Sequence, residues 1–202
     1  MKSKIGILGG SFNPIHIGHI LMCQYAFEQL DLEKVYLMPN EKPPHKDESF
    51  MINADERLQM CRIIEKKNDF IETISTEIGN NKTNYTVKTM EKLLKGKFKD
   101  HMIYFIIGAD SLIQIETWKA YEKLFDLITL VCVMRPAFDQ EEVLSKIKTL
   151  EDKFKIKIEQ VEMPLIGLSS TDIRNRINNN KSVKYMLDSD VIDYIQSNSL
   201  FR

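Results

Sequence analysis

The sequence has neither an excess of charge of one sign nor the cysteine content of a disulfide-rich protein. Its 28 Lys and Arg residues balance 29 Asp and Glu residues, and the formal charge is −1. No overall basic field therefore exists to hold a nucleic-acid backbone, and we expect no nucleic-acid partner. The three cysteines, Cys23, Cys61 and Cys132, lie far apart in apolar segments rather than at metal-ligand spacing, so we expect reduced core residues.

Long apolar runs are missing as well. No stretch approaches the roughly 18 apolar residues that a membrane span needs, and the first ten residues lack the apolar segment of a secretory signal. We expect a cytoplasmic protein without membrane contact. With 43% hydrophobic residues, the chain of 202 residues is expected to form one domain over residues 1–202, with a C-terminal helical portion from about residue 165. The composition is compatible with a homo-oligomer but does not specify one.

Short apolar runs alternate with helical patterns along most of the chain. The patterns predict strands at 4–8, 34–38, 70–78, 102–107, 127–133 and 156–161. They predict helices at about 16–31, 55–67, 86–94, 141–150, 170–177 and 189–195. This alternation favours an α/β fold, a Rossmann-like doubly wound parallel sheet with helices on both faces. Because such sheets bind ligands at the carboxyl ends of their strands, we expect functional residues in the loops that follow the strands.

Two glycines and two histidines lie where the first strand leads into the first helix. Gly9 and Gly10 end the strand, and His16 and His19 follow at a spacing of three. Glycines let the backbone approach an anion closely, and the free N–H groups of a helix start attract negative charge. Both imidazoles are expected on one face of the first helical turn, where two protonated histidines would be unfavourable without an anion. The segment therefore predicts a phosphate site, although each feature taken alone is more often structural.

A second motif, Ser169-Ser170-Thr171-Asp172-Ile173-Arg174, opens a helix near the other end of the chain. For Ser169 and Asp172 the favoured interpretation is an ordinary capping box. Arg174 lies one turn from Ser170, so its guanidinium can reach back toward the helix start. Phosphate oxygens would there meet amides, hydroxyls and a guanidinium together.

The two motifs together resemble the paired signature of the HxGH nucleotidyltransferase superfamily. Further matches resemble the bacterial nicotinate-nucleotide adenylyltransferases, and they span the chain in the order of that family. They are Met38-Pro39-Asn40, Pro43-Pro44-His45-Lys46, Asn84-Tyr85-Thr86, Gly108-Ala109-Asp110-Ser111, Thr117-Trp118 and Arg135-Pro136. The resemblance implies that ATP and nicotinate mononucleotide react to give nicotinate adenine dinucleotide and pyrophosphate. The expected mechanism is in-line attack of the mononucleotide phosphate on the α-phosphorus of ATP, without a covalent enzyme intermediate.

The resemblance also implies roles for individual residues. The catalytic residues would be His16, His19 and Arg174. ATP would be bound by Gly9, Gly10, Ser11, Phe12, Gly18, Gly108, Asp110, Arg135, Ser169, Ser170 and Thr171. The mononucleotide would be bound by Lys46, Tyr85, Thr86, Trp118 and Lys119. We expect no metal site built from protein ligands, and Mg²⁺ held mainly by the ATP phosphates.

Some of these residues have alternative interpretations. Trp118 is the only tryptophan, and its indole could stack on the pyridine ring or simply fill the core. Thr86 could cap its helix instead of binding a carboxylate. Asn13 stands where many members of the family carry aspartate, so we expect a structural role and no proton transfer from it.

Three other functions remain as alternatives. A phosphopantetheine adenylyltransferase would share the phosphate motifs but not the motifs around Lys46, Thr86 and Trp118. A nucleotide sensor without activity would not need both histidines and Arg174. A dehydrogenase would need Gly-x-Gly-x-x-Gly spacing in the glycine loop, and the second strand would end on an acidic residue. This chain has neither feature.

Overall fold

In the described part of the chain the sheet has six strands, all of them parallel. A computed structural model describes residues 2–41, 51–79, 84–134, 140–164 and 166–201. Its strands are β1 (Ser3–Gly10), β2 (Lys34–Pro39), β3 (Ile71–Thr73), β4 (His101–Gly108), β5 (Thr129–Met134) and β6 (Glu159–Glu162). Every neighbouring pair is parallel, in the order β3-β2-β1-β4-β5-β6. The expected α/β doubly wound sheet is confirmed.

Helices connect the strands and complete the chain. They are α1 (Ile17–Leu30), α2 (Ala54–Glu65), α3 (Thr86–Lys95), α4 (Ala109–Ile113), α5 (Tyr121–Phe125), α6 (Gln140–Phe154), α7 (Ser170–Asn178) and α8 (Ser189–Ser197). A short 3₁₀ turn, Ile115–Thr117, lies between α4 and α5. The sequence patterns predict neither α4, α5 nor this turn, because segments of three to five residues are too short to show helical periodicity. No helix in the described ranges is long and apolar enough to cross a membrane.

The two outer strands are shorter than their sequence patterns predict. The ladder between β2 and β3 runs only from the Val35–Ile71 pair to the Leu37–Thr73 pair. The ladder between β5 and β6 begins only at the Val131–Glu159 pair. An outer strand has one neighbour, so it ends where that single ladder ends, even when the apolar pattern continues.

Two hydrophobic cores lie on opposite faces of the sheet. Leu8 of β1 packs in a core with residues of α1, α2, α7 and α8, whereas its neighbour Ile7 packs with residues of α3 and α6. In β5, Val133 belongs to the first core and its neighbour Cys132 to the second, because successive side chains of a strand point to opposite faces. All three cysteines are free and buried, as expected, and burial raises the pKa of each thiol.

The strand order creates a crevice beside the central strand β1. From β1 the chain proceeds to β2 and β3 on one side, then crosses to β4 and continues outward through β5 and β6. The reversal occurs between β1 and β4, whose carboxyl ends are Gly10 and Gly108. In open α/β sheets this reversal point is where ligands bind, because the loops after the two strands diverge there.

Candidate active site

A cavity of about 620 Å³ opens at this crevice. Its walls come from the ends of β1, β2 and β4, from the beginning of α3, and from the segment that follows β4. The lining residues with predicted roles are Gly9, Gly10, Ser11, His19, Tyr85, Thr86, Gly108, Asp110, Trp118, Lys119 and Ser170. The structure thus brings together residues that lie up to 161 positions apart in the chain, from Gly9 to Ser170. No local sequence pattern predicts that such distant residues meet.

Two glycines in the cavity wall are needed for close packing. A Cβ atom at Gly9 would lie 3.0 Å from the Phe105 ring. A Cβ atom at Gly108 would lie 2.8 Å from Oδ1 of Asp110, which is closer than real Cβ contacts allow. Any other residue at Gly108 would therefore displace the Asp110 carboxylate that lines the cavity.

The two histidines at the start of α1 form a fixed pair. His16 is the N-cap residue, and its backbone N–H donates to Nδ1 of His19 at 3.2 Å. A backbone N–H can only donate, so Nδ1 of His19 is unprotonated and Nε2 carries the proton of a neutral imidazole. The two rings stack with centroids 3.7 Å apart, and Phe12 packs edge-on against His19 at 5.1 Å. A neutral ring suits the positive end of the helix dipole, and its remaining Nε2–H is a donor of fixed orientation.

The start of α7 is tied to the loop that precedes α1. Ser170 Oγ donates to the carbonyl oxygen of Pro14 at 2.9 Å, and Arg174 Nη1 donates to that of Asn13 at 2.8 Å. Arg174 Nη2 also donates to Thr171 Oγ1 at 3.2 Å, and burial lowers the pKa of the guanidinium. Ser170 and His19 both line the cavity. The starts of α1 and α7 therefore lie next to each other, and each contributes a residue to the cavity wall.

Ser169 and Asp172 form the ordinary cap that the sequence predicts. Ser169 Oγ accepts from the backbone N–H of Asp172 at 3.1 Å and donates to its carboxylate at 2.6 Å. Asn13 has a structural contact, because its Oδ1 accepts from the N–H of Ile52 at 3.3 Å. An amide oxygen performs this role as well as a carboxylate would.

The opposite wall of the cavity contains the start of α3 and the only tryptophan. Tyr85 is the N-cap residue and its side chain makes no capping hydrogen bond, so the alternative that Thr86 caps this helix is wrong. Trp118 is half-buried and packs edge-on against Phe105 at 6.2 Å, and Lys119 Nζ lies 5.2 Å from the centre of the Tyr85 ring. Trp118 thus packs against the core and also lines the cavity.

Not every residue with a predicted role lies on the cavity wall. Phe12 and His16 are buried, at 1% and 4% exposure, and they support the His19 ring from behind the described lining. Gly18, Ser169, Thr171 and Arg174 also lie outside that lining. The predictions for Lys46 and Arg135 fall outside the described residues. Within the described ranges, no group of three or more His, Cys, Asp or Glu side chains is placed to hold a metal ion.

The sequence patterns miss two charged residues next to the cavity. Glu77 lines it at 4% exposure, accepts from Thr89 Oγ1 at 2.6 Å, and its carbonyl oxygen accepts from Asn84 Nδ2 at 2.7 Å. Burial raises the pKa of this carboxyl, and the Thr89 hydrogen bond opposes that rise. Nothing in the local sequence indicates its burial. Arg57 is fully buried in α2. Its position on the apolar side of that helix is a sequence signal from which its burial could have been predicted.

Comparisons with known proteins agree with this architecture. A model of the cytidylyltransferase-like family matches residues 7–176. A protein of Carboxydothermus hydrogenoformans named "Probable nicotinate-nucleotide adenylyltransferase" is 38% identical over 200 residues, covering 99% of this chain and 98% of the relative. One of the same name from Moorella thermoacetica is 34% identical over 199 residues, covering 98% of this chain and 92% of the relative.

Solved structures show the same fold. Nicotinic acid mononucleotide adenylyltransferase of Plasmodium falciparum, in complexes with APC and with NaAD, matches with a TM-score of 0.78 at 19% identity. The matches cover 98% of this chain and 97% of the Plasmodium chain. From the family model and the full-length relatives, the chain belongs to the cytidylyltransferase-like family and, within it, to the nicotinate-nucleotide adenylyltransferases.

Proposed function

We propose that this enzyme transfers the adenylyl group of ATP to nicotinate mononucleotide, giving nicotinate adenine dinucleotide and pyrophosphate. The observation that carries the proposal is the convergence of two helix starts on one cavity, with His19 on one and Ser170 on the other. The names of the full-length relatives and the NaAD complex of the Plasmodium enzyme support the choice of substrates.

The ATP phosphates bind where the start of α7 meets the loop before α1. His19, Gly9 and Gly10 line the cavity, and the imidazole and the backbone amides there would serve as uncharged donors. Arg174 uses two of its five N–H donors on Asn13 and Thr171 within the described structure, so its other donors can serve phosphate oxygens. His16 and Phe12 act by holding the His19 ring in place.

The protein has little proton transfer to perform in this reaction. The attacking phosphate and the leaving pyrophosphate are both ionised near neutral pH, so no general base is needed. The site instead supplies in-line alignment of the two phosphates and donors for the charge that gathers on the transferred group. The α-phosphorus bond to the mononucleotide oxygen forms as its bond to the pyrophosphate oxygen breaks.

Helix dipoles alone cannot balance the charge of these substrates. Each helix start contributes about half a positive charge, against a triphosphate and a monophosphate. Asp110 places an exposed carboxylate on the cavity wall, and oxygen ligands of this kind fit Mg²⁺ held mainly by the ATP phosphates. When bound there, Mg²⁺ would neutralise part of the phosphate charge.

The nicotinate ring binds against Trp118, with its carboxylate at the start of α3. The backbone N–H groups there have no side-chain cap from Tyr85, and the helix dipole favours an anion. Lys119 adds a positive charge next to Tyr85. Roles for Lys46 and Arg135 stay predictions from the family resemblance.

The experiment is a pyrophosphate-release assay with ATP and each candidate acceptor in turn. We expect turnover with nicotinate mononucleotide and a kcat/KM about 5- to 150-fold lower with nicotinamide mononucleotide, because the amide leaves a buried donor unsatisfied. Turnover with 4′-phosphopantetheine alone would assign the enzyme to a different acceptor. Purified, folded protein that releases no pyrophosphate with any acceptor would support a nucleotide sensor instead.

A further inference from the structure

One guanidinium is sealed inside the protein directly behind the glycine loop. Arg57 of α2 is 0% exposed. Its Nη1 donates to the carbonyl oxygen of Ser11 at 2.6 Å, Nη2 to that of Glu41 at 2.8 Å, and Nε to that of Ile52 at 3.3 Å. All three acceptors are neutral backbone groups from three different segments of the chain.

Among the described residues this buried charge has no carboxylate partner. Within the described part of the chain, no Asp or Glu forms an ion pair with Arg57. The Glu41 carboxylate accepts from the backbone N–H of Gly79 at 2.5 Å and acts on Arg57 only electrostatically. Burial lowers the pKa of the guanidinium, yet arginine stays protonated in proteins. Burial of a charge without a counterion lowers the stability of the folded protein. If Arg57 only had to donate to backbone carbonyl groups, a neutral side chain would do so at a smaller loss of stability.

The guanidinium lies one peptide group behind the cavity wall. Ser11 accepts its shortest hydrogen bond and also lines the cavity. The Ser11–Phe12 peptide is trans, so the N–H of Phe12 points away from Arg57 while the Ser11 carbonyl points toward it. The positive charge therefore polarises this peptide and acts on the cavity through protein of low dielectric instead of water.

We propose that Arg57 supplies a fixed positive charge behind the glycine loop, which the polyphosphate of ATP neutralises when it binds. Arg57 touches no substrate and is a positioning residue that acts through Ser11 and through its electrostatic field. The inference rests on the proposed function, because it requires a polyphosphate in the cavity. It explains how a site whose histidine donor is neutral compensates part of the phosphate charge.

Binding of pyrophosphate tests the charge, and binding of adenosine tests the shape of the cavity. Isothermal titration is performed on the full chain and on Arg57→Gln, Arg57→Lys and Arg62→Gln, each below its thermal midpoint. Arg62 is the matched control, an exposed arginine on the same helix. We expect Arg57→Gln to weaken pyrophosphate binding about 10-fold, because a unit charge close to the phosphates is lost. Arg57→Lys should stay within about threefold, Arg62→Gln should be unchanged, and adenosine affinity should stay within about twofold throughout.

Several results would overturn the inference. They are pyrophosphate affinity in Arg57→Gln close to that of the wild type, equal losses in the Gln and Lys variants, or an adenosine loss as large as the pyrophosphate loss. If Arg57→Gln does not fold, Arg57→Lys alone tests the inference. A loss of about 10-fold in pyrophosphate affinity in this variant would contradict the electrostatic role, because the charge is retained. Failure of the proposed function is distinguished by the wild type, which would then release no pyrophosphate from ATP and nicotinate mononucleotide.

Discussion

Replacing His19 by asparagine separates its two roles. The Nδ1 atom accepts from the backbone N–H of His16 at 3.2 Å, whereas Nε2 carries the proton that is donated to the substrate in the proposed mechanism. Asparagine places an amide oxygen near the position of Nδ1 and nothing near Nε2. Glutamine places an amide nitrogen near Nε2 instead. The pair of variants therefore removes either the catalytic donor or the contact that holds the helix start.

The expected effects differ in size. Loss of one preorganised donor to the transferring group costs about 10²–10³-fold in kcat, equal to roughly 2.7–4 kcal/mol. The contact to His16 is retained in His19→Asn, so its free energy of unfolding should stay within about 1 kcal/mol of the wild type. His19→Gln should keep more of the turnover than His19→Asn and lose more stability, because the backbone N–H of His16 loses its acceptor.

Initial rates of pyrophosphate release at saturating ATP and nicotinate mononucleotide measure kcat, and urea denaturation measures stability. His16→Ala is the companion variant. His16 is the buried ring on which His19 stacks, so its removal should reduce turnover by loosening the position of the His19 ring. A folded His19→Asn enzyme with kcat within about threefold of the wild type would refute the role of Nε2–H, because one such donor is worth far more.

Three further predictions address the rest of the cavity and the core. Trp118→Ala should raise KM for the mononucleotide about 5- to 150-fold in steady-state kinetics, from the loss of about 1–3 kcal/mol of stacking, and an equal rise in KM for ATP would contradict it. Leu37→Ala, in a strand residue at 0% exposure, should lower the free energy of unfolding by about 2–5 kcal/mol in urea, and a loss below about 1 kcal/mol would show that the core there is loosely packed. Burial raises the pKa of Glu77 in the folded state, so the folded chain binds more protons than the unfolded one just above pH 4.5, and the wild type should lose stability as the pH rises through the raised pKa. Glu77→Gln should therefore gain stability relative to the wild type over that window in denaturation at several pH values, and a difference independent of pH would count against ionisation of this carboxyl.

The fold and the part of the cavity formed by the glycine loop could be predicted to a large extent. Strand and helix patterns alternate regularly, and parallel sheets place their loops at one edge, so the glycine loop and Gly108 could be assigned to the same crevice. The Ser169 cap could be predicted because capping depends on neighbouring residues only. The Thr86 cap was wrong because the helix begins one position earlier than that interpretation requires.

Local order along the chain was determined by the sequence alone, because hydrophobic periodicity, glycines and capping residues act over a few positions. The tertiary structure alone decided which charges are buried and which tautomer of His19 is present. Arg57 was placed behind the cavity by carbonyl groups from three segments, and the tautomer of His19 was set by one backbone N–H. Such contacts depend on the packing of distant segments, and no short stretch of sequence contains that information.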